Sequence, residues 1–304
     1  MIKKFNDLSA SSRAVMLMTI ALFMFTLMGI CIKLAAQTIP VIEVVFFRNA
    51  LAFILLVPLI TYHGWGSIRM NQPKLFFLRA FVNAGGMFLG FTALALIPLA
   101  EVTALSFTTP LFITVGAVVF FGEVIRARRI VAIGIGLIGA LIILRPGIIP
   151  ISAGSLMALG GALSIAMASL IVKKQTQTES PESIVTWMVA MQAPIVLIPA
   201  LQVWEWPDLV CWTYLWGLAL SGTIAHLCFT RAYRLVDITA LQPLEFMKLP
   251  FAVILAWLIF QEWPNIWTWV GGTVIFVSTA YIVQRERLAK QSIRPSAGLH
   301  ETKL

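Results

Sequence analysis

Apolar residues run through this chain in long blocks, and polar residues collect in short links between them. A helix that crosses a bilayer needs about 20 mostly apolar residues. Ten blocks reach that length: 15–36, 41–61, 75–97, 100–121, 129–146, 153–173, 183–203, 210–231, 238–260 and 265–284. The links carry turn residues, among them Pro40, His63-Gly64, Pro98, Gly122, Pro146-Gly147, Pro181, Pro207 and Pro264. No link is long enough for a soluble domain. The pattern predicts an all-α integral membrane protein of ten transmembrane helices. Residues 286–304, polar and basic, are expected to form a disordered cytoplasmic tail.

Composition agrees. The 304 residues are 60% hydrophobic and 12% charged, where a soluble domain carries about 25% charge. The net charge of +9 therefore points to orientation in a lipid bilayer, and no nucleic-acid partner is expected. With the N-terminus in the cytoplasm, the cytoplasmic segments hold Lys3, Lys4, Arg13, Arg69, Lys74, Arg79, Arg126, Arg128, Arg129, Lys173, Lys174, Arg231, Arg234, Arg285, Arg287, Lys290, Arg294 and Lys303. That is 18 of the 22 Lys and Arg. Glu43, Glu205, Asp208 and Glu262 fall on the other side. Both termini are thus expected in the cytoplasm. The basic start, MIKKFNDLSASSR, precedes an apolar run of about 22 residues, too long for a signal-peptide core, and reads as an uncleaved first span. Short loops and the lack of an organellar targeting segment point to a bacterial inner membrane.

The chemistry-bearing residues exclude several classes. Cys31, Cys211 and Cys228 are widely spaced, and His63, His226 and His300 form no motif. There is no Gly-x4-Gly-Lys-Ser, so ATP does not drive the protein directly. No metal or other cofactor is expected. A membrane enzyme would need a histidine cluster, paired carboxylates or a Gly-x-Ser-x-Gly. A channel would show rings of like charge. None of these is present.

An internal repeat supplies the positive argument. "FTALALIPLAEVTAL" at 91–105 matches "FTRAYRLVDITAL" at 229–241. Each leads into a helix containing a proline, Pro110 or Pro250, and ending in an acid, "VVFFGE" at Glu123 and "WLIFQE" at Glu262. Upstream, the residues around Lys33 resemble those around Lys173, and Pro58 sits where Pro199 sits. Five spans per copy force the second copy to enter the membrane from the opposite side. The expected halves are 1–146 and 147–285, an inverted repeat of the kind secondary transporters use.

On these residues the chain resembles the drug/metabolite transporter superfamily, in its ten-span form with two EamA-like halves. "EVVFFRNALAFILLVP" at 43–58, "LIPLAEVTALSFTTPLF" at 96–112, "FFGE" at 120–123 and "RAYRLVDITALQPLEFMKLPFAVILAWLIFQE" at 231–262 carry the resemblance, which covers residues 12–285. It implies a central cavity lined by the first, third, fourth, sixth, eighth and ninth helices. It also implies support by the fifth and tenth, often at a homodimer face. Similar sequences include exporters of amino acids and metallophores, and importers of S-adenosylmethionine or riboflavin.

Candidate site residues follow from depth. In "LQPLEFMKLPF", 241–251, Lys248 stands about ten residues into the ninth span, roughly 15 Å from its start. Glu245 lies one turn away on the same face. A charge at that depth is costly and usually faces a cavity. The two either bind the polar part of a substrate or lock the helix as an ion pair. Pro110 and Pro250 are matched helix interruptions. Ser106, Thr108 and Thr109 offer hydroxyls to a substrate or to their own helix. Asn83 beside Gly85-Gly86, and His226, are either substrate contacts or interhelical bonds. Gln192 reads as packing glue, and Met24, Phe25, Met28 and Met167 as apolar wall. Lys33, Glu43, Arg48 and Asn49 cluster near the far ends of the first two helices, where Arg48 pairs with Glu43 or serves a gate. Arg79 is expected to snorkel to the cytoplasm. Glu101 and Asp237 suit helix N-termini, and Trp204, Trp206, Trp212, Trp263, Trp267 and Trp269 an interfacial belt. The expected function is a secondary transporter of a small polar or amphipathic metabolite of amino acid or derivative type. A membrane enzyme or scaffold, or an importer of S-adenosylmethionine or riboflavin, stands as the alternative. The expected partners are a small-molecule substrate, the lipid bilayer and a second copy of the chain.

Overall fold

Pro110 breaks the fourth span. A proline has no N–H to donate, and within a continuous helix a proline ring would clash with the carbonyl four residues back. The computed structural model, which describes residues 10–63, 68, 70–121, 127–145, 148, 151–175, 178–235, 244 and 247–292, accordingly divides that span at Phe107-Thr108. The hydroxyls of Ser106 and Thr108 donate to the carbonyls of Thr103 and Leu105, each at 2.7 Å. Among the described residues there are helices and no strand. They are α1 (Ala10–Ala35), α2 (Val41–His63), α3 (Pro73–Leu96), α4 (Leu99–Ser106), α5 (Thr109–Phe121) and α6 (Ala127–Leu144) in the first copy. The second copy holds α7 (Ala153–Gln175), α8 (Pro181–Ala200), α9 (Leu209–Leu235), α10 (Lys248–Phe260) and α11 (Ile266–Ser292). With α4 and α5 joined, these make ten spans. Short links make successive spans antiparallel, so one face holds Ala35, the α3–α4 turn and Phe260. The face carrying the start of α1 and the end of α11 is the terminal face, the other the far face.

The ninth span is described from Lys248, with Pro250 in the first turn of α10, where a missing N–H costs nothing; its expected start at 238 lies outside the described residues. One helix boundary differs from the sequence expectation. The last helix continues to Ser292 rather than stopping at 284. Its extension, Gln-Arg-Glu-Arg-Leu-Ala-Lys-Gln, is built of good helix formers, so the backbone ladder continues past the apolar stretch.

The two copies do not form separate cores. The most extensive interfaces join helices of different copies: α1 with α9, α3 with α7, α6 with α11 and α2 with α8. Exchanging the copies turns α1–α9 into α7–α3, α10–α1 into α5–α7, and α9–α2 into α3–α8, all of which occur. Two matched bundles result, α1, α2, α9 and α10 against α7, α8, α3 and α5. The symmetry extends to the loops. At the far face, Glu43 Oε1 accepts the Glu205 N–H at 2.8 Å. At the terminal face, Glu179 Oε1 accepts the N–H groups of Asn71 and Gln72 at 2.8 and 2.9 Å.

Glycines set the closest crossings. A Cβ on Gly161 would stand 3.3 Å from the Gly90 Cα, and one on Gly271 would stand 2.5 Å from the Gly139 carbonyl oxygen. The small residues of the fifth and tenth spans are therefore engaged within one chain, holding α6 against α11. The perimeter keeps exposed Phe81, Val119, Val131, Ile198 and Val277. Five spans, 12–35, 41–58, 73–96, 153–172 and 183–200, are long and apolar enough to cross a membrane by themselves. The protein is a multi-pass membrane protein.

Candidate functional site

Near mid-depth the structure brings together side chains from α1, α9 and α10. Phe25 meets His226 edge-on, with ring centroids 5.0 Å apart. It meets Phe229 at 6.0 Å, and the Lys248 Nζ lies 5.0 Å from its ring centroid. The α1–α9 pair supplies this geometry. Phe25 is ten residues, about 15 Å, from the far end of α1, and Lys248 twelve residues, about 18 Å, from the far end of α10. An ammonium over an aromatic face gains roughly 0.5–2 kcal/mol, more as water leaves. Lys248 and His226 thus share one aromatic wall. Glu245 lies outside the described residues, as do Glu123 and Asp237.

Arg48 and Arg79 act on this group from a distance. Both lie, with Lys248, within electrostatic reach of the His226 ring. Arg48 is 4% exposed. Its Nη1 donates to Asn49 Oδ1 at 3.2 Å, and Asn49 Nδ2 donates to the Val45 carbonyl at 2.8 Å. The expected Arg48–Glu43 pair does not form. Residues five apart lie on different helix faces, and the fully buried Glu43 turns to the Glu205 N–H instead. Arg79 does not snorkel. The end of α7 and the start of α8 cover it, and its Nη1 donates to the Ile184 carbonyl at 3.2 Å and to Gln175 Oε1 at 3.5 Å. Its Nη2 lies 3.4 Å from the Met188 sulfur. Those carbonyl and amide oxygens take the place of the water it was expected to seek.

The remaining candidates separate. Asn83 is half-buried, one turn from Arg79 on the same face of α3. Ser106 and Thr108 spend their protons on their own helix, and Thr109 is half-buried beside them. Pro110 marks the break in the fourth span; Pro250 sits at the start of α10. Gln192 is fully buried, and neither amide atom has a hydrogen-bond partner, so it bonds no neighbouring helix. Met167 lines an open groove of about 240 Å³ with the apolar side chains of Phe112, Val115, Leu163 and Leu170, between α5 and α7. Glu101, in the first turn of α4, accepts the Ser155 hydroxyl at 2.9 Å.

Sequence reasoning missed one pairing. Lys33 leaves the Glu43–Arg48 neighbourhood and bonds Glu262 Oε1 at 2.5 Å. It also donates to the Ile97 carbonyl at 3.3 Å and lies 5.1 Å from the Phe260 ring centroid. A signal was present: Lys33 is one of four cations away from the segments expected in the cytoplasm, and Glu262 is an acid expected on the same side.

Comparison with known proteins agrees with this architecture. The EamA-like transporter family matches residues 12–145 and again 152–284. A riboflavin transporter of Vibrio cholerae is 33% identical over 251 residues, 82% of this chain and 84% of that protein. An S-adenosylmethionine uptake transporter of Rickettsia bellii is 30% identical, covering 81% of this chain and 85% of that one. A pseudopaline exporter of Pseudomonas aeruginosa is 30% identical over 87% of this chain and 93% of its own. A crystal structure superposes with a TM-score of 0.65 over 92% of this chain and 99% of that chain, at 17% identity, a likeness of fold. The chain belongs to the EamA-like transporter family. It is a transporter of a small metabolite and not an enzyme.

Proposed function

We propose that the protein is a secondary transporter that moves a small polar or amphipathic metabolite across a bacterial inner membrane by alternating access, with both termini cytoplasmic. The observation that carries this reading is the exchange symmetry of the helix contacts. Each large interface maps onto another, or onto itself, when the copies are swapped. Two bundles that are near-equivalent and oppositely oriented give two conformations of similar energy, one open to each side. Lys33 ties α1 and the end of α10 in one bundle to the α3–α4 turn beside the other, which favours a closed far face. The aromatic and cationic group around Phe25 and His226 is the binding site, with Glu245, Asn83 and Thr109 as further contacts. Amino acids and their derivatives fit a site that offers both an ammonium and a carboxylate. Direction follows the gradient, since the relatives' names include both uptake and export.

The test is counterflow in proteoliposomes. Riboflavin, S-adenosylmethionine, pseudopaline and a set of amino acids would be loaded in turn, with the same labelled compound outside. At least one is expected to exchange through the protein, and to do so without ATP. Failure of every compound, with the Vibrio cholerae relative active in parallel, removes this reading.

A further inference from the structure

Lys248 and His226 share the Phe25 ring, and α2, which carries Arg48, packs on α9, which carries His226. Arg48 and Arg79 lie within electrostatic reach of that imidazole. Among the described residues, Glu43 holds the Glu205 N–H, Glu101 holds Ser155, Glu179 holds Asn71 and Gln72, Asp208 holds the Cys211 N–H, and Glu262 holds Lys33, so these acids are engaged elsewhere. Glu245 belongs by sequence to the same region.

Arg48 is the informative member. It is nine-tenths buried, it makes one hydrogen bond, and that bond goes to a neutral amide. A buried guanidinium carries five donors in a fixed fork and is normally matched by a carboxylate or phosphate. Arg79, by contrast, is held by the α7 and α8 chain ends and has a visible structural use. Gln192 adds a second buried polar group with nothing to bond, on α8, the helix packed against α2. It is eight residues from the far end of its helix, and Arg48 is seven from the far end of α2. Both therefore lie roughly 10–12 Å deep.

We infer that the transported molecule is an anion, carrying a carboxylate or phosphate that Arg48 binds through its unmatched donors and Lys248 attracts. An apolar or aromatic portion rests on Phe25 and His226. The bound anion supplies the acidic partner that the buried Arg48 lacks. The inference rests on the transporter reading for the location of the site.

The experiment uses the full chain in detergent and two matched ligand pairs, indole-3-acetate with indole-3-acetamide, and riboflavin 5′-phosphate with riboflavin. Each pair differs in the anionic group, and the two pairs separate carboxylate from phosphate. The charged member of at least one pair is expected to raise the melting temperature, and its neutral partner to raise it less. That difference should vanish in Arg48→Met and shrink in Lys248→Met. Without ligand, Arg48→Met is expected to melt at or above the wild-type temperature, because it removes an unmatched charge. Equal effects within both pairs, including none at all, overturn the inference. So does an anion preference that survives Arg48→Met, or a clear fall in the ligand-free melting temperature of that variant. Counterflow of a neutral compound with no anion preference would remove this inference and leave the transporter reading standing. An anion preference without counterflow of any compound would do the reverse.

Discussion

Lys33 and Glu262, 229 residues apart in sequence, meet at 2.5 Å at the far face, beneath the Phe260 ring. Lys33 also holds the Ile97 carbonyl, so it joins α1, α10 and the α3–α4 turn. Removing Lys33 cuts both links, whereas Glu262→Gln cuts only the ion pair. A loss of about 1–2 kcal/mol from the closed state shifts its population roughly 5- to 30-fold. Cys31, half-buried on α1 two residues away, is a built-in reporter. In a Cys211→Ala, Cys228→Ala background, Lys33→Met is expected to speed maleimide labelling of Cys31 several-fold, and Glu262→Gln to speed it less. Equal rates in all three proteins would show that this contact does not control the far face.

Glu43 and Glu179 are the two copies' versions of one device, an acid that caps the backbone of a neighbouring loop. Their surroundings differ in one respect. Glu179 accepts two backbone N–H groups and the Asn71 side chain, while Glu43 accepts one N–H and leaves Oε2 buried without a partner. Hydrogen bonds to a charged group are worth about 1.5–3 kcal/mol. Glu179→Ala is therefore expected to lower the melting temperature more than Glu43→Ala. Glu43→Gln keeps an acceptor for Glu205 and should cost least. A ranking with Glu43→Ala as the most damaging would contradict this account of the loops.

Gln192 offers a change in the other direction. A buried amide without partners carries its desolvation cost uncompensated, about 1–3 kcal/mol. Gln192→Met has similar volume and no such cost. Its melting temperature should rise or hold, measured by loss of monodisperse protein on heating. A fall would mean that the amide bonds something in the membrane-embedded protein.

Much of the fold was legible because membrane helices announce themselves. The apolar blocks located most of the described spans to within a few residues. Where a boundary moved, local chemistry decided: helix formers carried α11 to Ser292. The site was legible only in part. Depth along a helix singled out Lys248, His226 and Arg48, since a polar residue at mid-span is conspicuous. Azimuth and partner were not readable. Glu43 and Arg48 looked like neighbours by number and lie on different faces. Lys33 and Glu262 are distant in sequence, and only the packing of α1 against α10 brings them together. Arg79 looked like a snorkelling residue because nothing in its own helix shows that α7 and α8 end beside it.

The α6–α11 crossing depends on two glycines meeting backbone to backbone, and it gives the most severe expected effect. A Cβ on Gly271 would stand 2.5 Å from the Gly139 carbonyl and equally close to the Ile143 side chain. A flexible side chain can move aside, but a carbonyl within a helix cannot move without shifting the helix. Overpacking a core typically costs about 1–3 kcal/mol, and a backbone clash belongs at the upper end. Gly271→Ala and Gly139→Ala should each lower the melting temperature. Gly134→Ala should leave it unchanged or raise it slightly, because nothing lies within 4 Å of that position and alanine is the better helix former. The same three variants, compared by size-exclusion chromatography, test whether this crossing lies within one chain. A fall in melting temperature with no change in oligomer size supports the intrachain crossing. Dissociation of a dimer by Gly271→Ala, with the protomer's own stability intact, would place these glycines between chains instead.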